Sequence, residues 1–492
     1  MNGSVTEIAR GAVLREAFSA EPFFPLPCGG HGRCGKCKVT ASGALSKPTA
    51  AEMQLLSEAE LARGIRLACC ARAEGDCTVS FALDSTTRIQ LAGVLPAVYQ
   101  KHRYTKYGIA MDIGTTTLAA VLYGPDGLLV AQASADNPQA TWGADVISRI
   151  EAALKGEAHS LSAAIRQALS SLIKTLAIQA KIETSDVDTL VITGNTAMLY
   201  LLTDTDTACL SHAPFVATRL FGQGLPAETL NLPCPGATVY LPRCISAFVG
   251  ADITTALLAS EICSSDSTRM LVDIGTNGEM ALWHLGQLHC CSTAAGPAFE
   301  GAGISMGMRG QDGAIDHISV KDGELISHVL GDVRPTGICG SGIVDALACL
   351  LETDQLDETG LLAKTPFPIA GKVSLTQKDI RMVQLAKSAI CAGLLTLLHS
   401  RNLSLAALTE LNIAGGFGSY LDVQCAARIG LLPAELTSRV RVVGNAALSG
   451  AVMLLLNQDL AEVSTTIAYQ AQTVDLSTNP CFLDFYTKCM FF

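Results

Sequence analysis

The sequence lacks an excess of positive charge and contains few charged residues of either sign. Its 34 lysines and arginines are outnumbered by 45 aspartates and glutamates, which gives a formal net charge of −11. This balance disfavours nucleic acid as the main partner. Only 16% of the 492 residues are charged whereas 49% are hydrophobic, so we expect a compact globular chain of several domains.

The sequence also lacks an uninterrupted apolar run of the roughly 18 residues that a membrane-spanning helix needs. The longest candidates, residues 388–398 and 446–456, are too short and indicate buried core helices. Residues 1–25 carry scattered charges and no apolar stretch typical of a signal peptide. We therefore expect a cytoplasmic protein with no membrane partner, whose cysteines are thiols or metal ligands rather than disulfides.

Cysteine, by contrast, is abundant, and three of the eighteen cysteines lie in one glycine-rich loop. Cys28, Cys34 and Cys37 have the spacing C-x5-C-x2-C, and Cys69 follows after 31 intervening residues. One C-x2-C pair with a distant single cysteine is closer to the plant-type [2Fe–2S] pattern than to the paired knuckles of a zinc ribbon. We predict a [2Fe–2S] cluster, with zinc as the alternative and Cys70 as the rival of Cys69.

The segment around these cysteines has the size of a small α+β domain. A strand is predicted at residues 38–41, a helix at 51–62 and a last strand at 77–81. We place the ferredoxin-like domain at residues 1–85 and a basic linker at residues 86–105.

Two similar turns, 161 residues apart, follow the linker. Asp112–Thr117 has the sequence DIGTTT and Asp273–Gly278 has the sequence DIGTNG, and a short apolar strand precedes each of them. Each pattern predicts a β-hairpin whose turn offers backbone N–H groups to a phosphate, with the aspartate near a metal ion. A third glycine turn, residues 412–419, comes later in the chain. Two such hairpins suggest two lobes that hold one nucleotide from opposite sides.

Strands and helices alternate in the same order after each of these hairpins, which indicates an α/β architecture duplicated within the chain. We predict one domain over residues 106–492. Its first lobe covers about 106–262, its second lobe about 268–445, and a C-terminal helix and tail cover 446–492.

Residues 107–456 resemble the superfamily of actin, sugar kinases and heat-shock-70 ATPases, because two DxGT-type turns and Ala414-Gly415-Gly416 occur in the order found there. The fold implied is a two-lobed α/β actin-like (ASKHA) ATPase behind a β-grasp ferredoxin-like domain. The resemblance implies Mg²⁺ near Asp112 and Asp273. It implies ATP phosphates at Gly114, Thr115, Thr116, Thr117, Gly275, Thr276 and Asn277, and adenosine at Gly415, Gly416 and Phe417.

The fusion of these two parts resembles the reductive activators of corrinoid proteins. Residues 142–149, 194–196, 296–301 and 337–342 are similar to strings of that family. The resemblance implies ATP-dependent transfer of one electron from the [2Fe–2S] cluster to inactive cob(II)alamin on a corrinoid methyltransferase protein, which restores cob(I)alamin. Its partners would be that corrinoid protein and an upstream ferredoxin or flavoprotein. A homodimer is compatible with the resemblance, but the sequence does not determine the oligomeric state.

Two aspartates are candidates for positioning the attacking water, Asp145 and Asp252, although each also suits the cap or first turn of a helix. Other functions remain as alternatives. A small-molecule kinase uses the same ATPase fold but leaves the iron–sulfur domain without a role. The others are a non-catalytic ferredoxin and actin-like scaffold, and an activator of 2-hydroxyacyl-CoA dehydratases.

Overall fold

The computed structural model describes residues 6–18, 37–80, 101–264, 266–416 and 420–492. Cys28, Cys34 and Phe417, three of the predicted site residues, lie outside these ranges, as does most of the predicted linker.

The amino-terminal domain is a small antiparallel sheet covered by two short helices. Its elements are β1 Lys38–Leu45, α1 Ala50–Leu55, α2 Glu58–Ala62, β2 Ile65–Leu67 and β3 Ala73–Ser80. β1 is the central strand, since the sheet order is β2-β1-β3.

The single helix predicted at residues 51–62 is in fact the two helices α1 and α2. The break follows from a second helix start inside the segment, because the Glu60 amide donates to the Ser57 hydroxyl and the Glu60 carboxylate accepts from the Ser57 amide at 2.8 Å. This reciprocal pair is a capping box, which ends α1 before residue 57 and begins α2 after it.

The first lobe of the larger domain is built on a six-stranded sheet of order β6-β5-β4-β7-β9-β8. Its elements are β4 Tyr107–Ile113, β5 Thr117–Tyr123, β6 Leu129–Asp136, α3 Val146–Ala152, α4 Ala158–Ala180, β7 Val187–Gly194, α5 Thr196–Thr203, β8 Gln223–Pro226, β9 Thr238–Leu241 and α6 Ala251–Ser260. Side chains of β4 alternate between two cores, as a strand covered on both faces requires. Ile109 and Met111 pack with α4 and α5, whereas Ala110 packs with α6.

The second lobe repeats this plan in a sheet of order β19-β18-β10-β11-β12-β20. In chain order its elements are β10 Arg269–Ile274, β11 Gly278–His284, β12 Gln287–Thr293, β13 Ala314–Lys321, β14 Glu324–Val329, β15 Gly337–Ile338, α7 Gly340–Glu352, β16 Phe367–Ala370, β17 Val373–Leu375, α8 Gln377–His399, β18 Glu410–Ala414, α9 Val423–Arg428, β19 Val440–Gly444, α10 Ala446–Leu456, α11 Leu460–Gln470, β20 Ala471–Thr473 and α12 Pro480–Lys488. In both lobes an antiparallel three-stranded meander continues into parallel strands that helices connect. The predicted duplication of architecture is therefore present.

The two lobes meet along α6 and α10, which cross between the sheets. Leu271 and Ala281 of the second sheet share one buried cluster with Ala110 of the first. The crossing is close enough to require Gly450 of α10, because a Cβ atom there would lie 1.9 Å from the Thr255 carbonyl oxygen of α6. This contact sets the distance between the lobes and hence between the two predicted phosphate turns.

One described helix, α8, is long and apolar enough to cross a membrane by length and composition alone. However, 78% of its apolar stretch is buried inside the fold. Ile380, Ile390 and Leu394 of this helix belong to the core of the second lobe. Helix α8 is therefore a core helix of the second lobe.

Candidate nucleotide and iron–sulfur sites

The first turn closes the hairpin between β4 and β5, as the sequence predicted. The Gly114 amide donates to the Thr117 carbonyl oxygen at 3.0 Å. Three side chains donate hydrogen bonds to the carbonyl oxygens of this turn. Asn137 donates to that of Gly114 at 2.9 Å, Arg149 to that of Thr115 at 2.6 Å and Arg309 to that of Thr116 at 2.9 Å. Because carbonyl oxygens repel anions, engaging them with donors from outside the turn suits its amide groups to binding phosphate.

The second turn closes the hairpin between β10 and β11 in the same way. The Gly275 amide donates to the Asn277 carbonyl oxygen at 3.0 Å. The two turns face each other, because the hydroxyl oxygens of Thr116 and Thr276 are 3.2 Å apart. Residues separated by 160 positions in the sequence therefore form one site between the lobes.

Four carboxyl groups gather beside these turns, of which that of Glu279 is buried and the other three are half-buried. Asp112 and Asp273 end their strands as predicted, and Asp252 of α6 and Glu279 of β11 join them. Burial, reinforced by Asp112 and Asp273, raises the pKa of Asp252 to about 8. Burial also raises the pKa of Asp273 to about 7 and that of Asp112 to about 6.

This group of carboxyls fits Mg²⁺, since acids that raise one another's pKa are stabilised by a cation and oxygen ligands suit this ion. Among the described residues, however, no three histidine, cysteine, aspartate or glutamate side chains are close enough together to hold a metal ion alone. This agrees with the usual coordination of Mg²⁺, which keeps several water ligands and binds one or two carboxylates together with substrate phosphates.

Glu300 contacts both turns. Its only signal in the sequence was its place in the glycine-rich string of residues 296–301. Both carboxylate oxygens lie 3.2 Å from the Thr276 hydroxyl oxygen. The Thr116 hydroxyl and the Thr276 amide also donate to this carboxylate. Burial raises the pKa of Glu300, while these hydrogen bonds and the charge of Arg149 oppose the increase.

The third glycine turn follows β18 and lies directly beside the second. Gly415 has a φ of +99°, and a Cβ atom there would lie 2.5 Å from the Ile274 carbonyl oxygen and 2.8 Å from Asp273 Oδ1. At the next residue, Gly416, an added Cβ would have no heavy atom of the described residues within 4 Å apart from those of its chain neighbours. Nearby, the Asn445 side chain caps α10 and donates to Asp112 Oδ2 at 3.0 Å. The turn predicted to bind adenosine and the acids predicted to lie near Mg²⁺ are therefore in contact.

The two candidate water-positioning acids occupy different environments. Asp145 caps α3, because its carboxylate accepts the Ser148 amide at 2.8 Å. Asp252 lies in the first turn of α6 within the acid cluster, where Oδ1 accepts the Ile253 amide at 2.8 Å. Only Asp252 of this pair is thus joined to Asp112 and Asp273.

Several residues that contact the two predicted phosphate turns or the acid cluster were not singled out as site residues from the sequence. They are Asn137, Arg149, Asn195, Glu279, Glu300, Arg309 and Asn445. Asn195 and Asn445 had a local signal, since each follows a strand and caps the next helix, where asparagine is favoured. Arg149 is fully buried, and its only signal in the sequence was its place in residues 142–149, one of the strings similar to the corrinoid-activator family.

At the amino-terminal domain, the thiols of Cys37 and Cys69 converge. Their sulfur atoms are 3.2 Å apart, and Cys70 Sγ lies 3.6 Å from Cys69 Sγ. Burial and the neighbouring Cys69 thiol raise the pKa of Cys70 to about 11, which disfavours its thiolate form. The donor set therefore fits a metal centre held in part by Cys37 and Cys69.

A buried ion pair fixes the chain just before Cys69. Arg66 Nε donates to Glu52 Oε1 at 2.8 Å, and the same oxygen accepts the Leu67 amide at 3.1 Å. The Ala68 amide donates to the Cys37 carbonyl oxygen at 2.9 Å. These bonds hold the two cysteine segments side by side.

Three family models match the chain in succession. The 2Fe-2S iron-sulfur cluster binding domain matches residues 2–74, the RACo middle region matches 107–265, and the C-terminal domain of RACo, the ASKHA domain, matches 267–492. These matches confirm the predicted fold class. The middle-region model covers the segment in which we predict the first lobe.

Named relatives agree with these matches. The chain is 36% identical to the corrinoid activation enzyme RamQ of Eubacterium limosum, covering 77% of this chain and 69% of that protein. It is 25% identical to the Co(II) methylated amine-specific corrinoid protein reductase of Methanosarcina barkeri, covering 77% and 76%. A solved structure of a reductive activator for corrinoid, iron-sulfur protein matches with a TM-score of 0.75 and 27% identity, covering 99% and 96%. The chain therefore belongs to the family of corrinoid activation enzymes, in which an iron–sulfur domain precedes an ASKHA domain.

Proposed function

We propose that this protein reductively activates a corrinoid protein of a methyltransferase system in an ATP-dependent reaction. One electron passes to the partner's cob(II)alamin and restores cob(I)alamin. The observation that supports this proposal best is the combination, in one chain, of converging cysteines in an iron–sulfur domain and paired turns of phosphate-binding type around a cluster of acids. A small-molecule kinase would need only the second of these sites.

We propose Cys28, Cys34, Cys37 and Cys69 as the cluster ligands. When bound, the [2Fe–2S] cluster supplies a one-electron carrier. The ion pair of Glu52 with Arg66 keeps Cys69 beside Cys37, and the raised pKa of Cys70 favours its remaining a neutral thiol. An upstream ferredoxin or flavoprotein would supply the electron.

We propose that ATP binds between the lobes with Mg²⁺. Gly114–Thr117 and Gly275–Asn277 would bind its phosphates, Asp112 and Asp273 would hold Mg²⁺ or its waters, and Gly415 with its neighbours would contact adenosine. Asp252 is the better candidate of the two proposed water-positioning acids, because it lies in the acid cluster whereas Asp145 caps a helix. A cytoplasmic location and a homodimeric assembly belong to the same proposal.

ATP can drive an unfavourable electron transfer only if it binds two states of the protein with different affinity. The structure offers a route for such coupling, because the nucleotide turns belong to different lobes and share the Thr116–Thr276 contact. A ligand that changes this contact would change the position of one lobe relative to the other.

Two substitutions test the role of the nucleotide site. Asp112→Ala and Asp273→Ala each remove a carboxylate that would hold the cation, so both should abolish ATP-stimulated reduction of the corrinoid protein. The iron–sulfur absorption spectrum should remain unchanged, because the cluster belongs to the other domain. Glu324→Gln alters an exposed acid of the second lobe and serves as the control. Full ATP stimulation in both alanine variants would contradict the proposed site.

A further inference from the structure

Glu300 occupies an unusual position for a carboxylate, between two turns that are built to bind an anion. Its oxygens accept from the Thr276 hydroxyl at 3.2 Å, from the Thr276 amide and from the Thr116 hydroxyl. These donors come from both lobes. An amide and a hydroxyl of each DxGT-type turn are also the groups that a phosphate oxygen would use there.

The surroundings of Glu300 are those of an anion site. The Arg149 guanidinium, which donates to the Thr115 carbonyl oxygen at 2.6 Å, also contributes favourable charge to Glu300. On the other side, Asp273 of the acid cluster and Glu300 act unfavourably on each other. One negatively charged group is therefore favoured at this position between the turns, whereas a second negative charge nearby is repelled.

We propose that the Glu300 carboxylate is an internal occupant of the terminal-phosphate position, which the γ-phosphate of ATP displaces. This inference rests on the ATP-binding part of the proposed function. The two anions compete for the same hydroxyl and amide donors, and like charges at such short distances repel strongly. ADP, which lacks the terminal phosphate, leaves Glu300 in place. The residue thus makes the site distinguish triphosphate from diphosphate.

The chain around Glu300 allows this displacement without unfolding the lobe. Phe299 is buried in the core and holds the preceding residues, whereas Gly301 and Gly303 follow with φ values of +77° and +79°. Further along, the Ser305 amide donates to the Asp379 carboxylate of α8 at 2.7 Å. Movement of Glu300 is thereby confined to the short stretch between Phe299 and Ser305.

The same stretch leads to a contact with the first lobe. Arg309 donates to the Thr116 carbonyl oxygen at 2.9 Å and pairs with Asp136 of β6. Arg309 lies beyond Ser305, so this bridge between the lobes is outside the stretch that moves. The response to the terminal phosphate is carried by Glu300 itself, which contacts Thr116 of the first lobe and Thr276 of the second.

The test compares nucleotide affinities of the full-length protein by isothermal titration calorimetry. Glu300→Gln keeps the shape of the side chain but removes its charge, so it should bind the magnesium complex of a non-hydrolysable ATP analogue at least about tenfold more tightly. Affinity for magnesium ADP should change by less than about threefold. Glu300→Ala, which removes the carboxylate altogether, should shift the affinities in the same direction, and Glu324→Gln should shift neither.

Hydrogen exchange of residues 300–305 provides a second readout that does not depend on electron transfer. In the native protein, the ATP analogue should raise exchange in this stretch, whereas in Glu300→Gln exchange should be raised before nucleotide is added. Unchanged or weaker binding of the analogue by both Glu300 variants would overturn the inference while leaving the proposed function intact. If the native protein bound no nucleotide at all, the proposed function itself would fail.

Discussion

Gly415→Ala should destabilise the protein, because this position combines a left-handed backbone with a close approach to the second phosphate turn. The φ of +99° is strained for any residue with a Cβ, at a cost of about 1–2 kcal/mol. The added methyl group would also lie 2.5 Å from the Ile274 carbonyl oxygen and 2.8 Å from Asp273 Oδ1. Both are well inside van der Waals contact, and overpacking of this kind costs about 1–3 kcal/mol.

Together these effects give a loss of about 2–4 kcal/mol in the free energy of unfolding, allowing for partial relaxation. For a domain of roughly 390 residues that unfolds as one unit, the melting temperature should fall by about 2–5 °C. Thermal unfolding followed by circular dichroism measures this shift.

Gly416→Ala is the matched control, since it adds the same methyl group one residue later, where the added Cβ meets no heavy atom of the described residues beyond its chain neighbours within 4 Å. It should leave the melting temperature within about 1 °C of the native value. If the two variants melted at the same temperature, the backbone geometry inferred for this turn would be refuted.

Three further predictions concern the two sites. Cys69→Ser should lose the [2Fe–2S] absorption and the two acid-labile sulfides per chain that such a cluster contains, whereas Cys70→Ser should retain both; the reverse pattern would make Cys70 the ligand. Arg66→Met leaves the Glu52 carboxylate buried without its partner and should lower the free energy of unfolding by about 3–5 kcal/mol. The double variant Glu52→Gln/Arg66→Met should recover part of this loss, as measured by chemical denaturation. No recovery would argue against the ion pair as the cause. Binding of magnesium nucleotide at pH 7 should release on the order of one proton, because a cation favours the ionised forms of carboxyls whose pKa values are raised. Calorimetry in buffers of different ionisation enthalpy measures this release, and proton uptake on binding would contradict the prediction.

The raised pKa values of these carboxyls also determine how the stability of the metal-free protein depends on pH. Asp112, Asp252 and Asp273 have pKa values of about 6, 8 and 7 in the folded chain, above their ordinary value of 3.8. The folded state therefore binds more protons than the unfolded state between about pH 4 and pH 8. Through these groups, stability of the metal-free protein should fall as the pH rises across that window.

The hairpins could be predicted because their signals are local. An apolar strand, an acid, a glycine and small residues within ten positions specify β4 with β5 and β10 with β11, and the structure contains both. The order of strands and helices likewise predicted two similar lobes. The pairing of α6 with α10 through Gly450 could not be predicted, because nothing near either helix identifies a partner some 200 residues away.

The acid cluster illustrates the same limit at the site. Asp112 and Asp273 belong to recognisable turns, but Asp252 and Glu279 become neighbours only when the sheets fold against each other. Glu300 and Arg309 are still less visible, since their partners Thr116 and Asp136 belong to the other lobe. A sequence pattern specifies which residues a turn contains and gives little information about which distant side chains complete it.

The C-terminal tail is bound to the second lobe through a buried lysine that the sequence does not connect to it. One helix and a tail were predicted for residues 446–492, whereas the structure has three helices there, α10, α11 and α12. The last of them is held by Lys387 in the middle of the apolar helix α8, whose ammonium group donates to the Cys489 carbonyl oxygen at 2.7 Å. A single lysine on an apolar stripe gives no indication of the segment that it binds.

The most direct test of the central claim is the reduction of a purified cob(II)alamin-containing corrinoid protein, followed by its visible absorption spectrum. With a chemical reductant that reduces the iron–sulfur cluster, the native protein should convert cob(II)alamin to cob(I)alamin when magnesium ATP is present and should convert little without it. Cys69→Ser and Asp273→Ala should each abolish the ATP-dependent conversion, the first through the cluster and the second through the nucleotide site. Equal conversion with and without ATP, or full activity of the Cys69→Ser variant, would contradict the account.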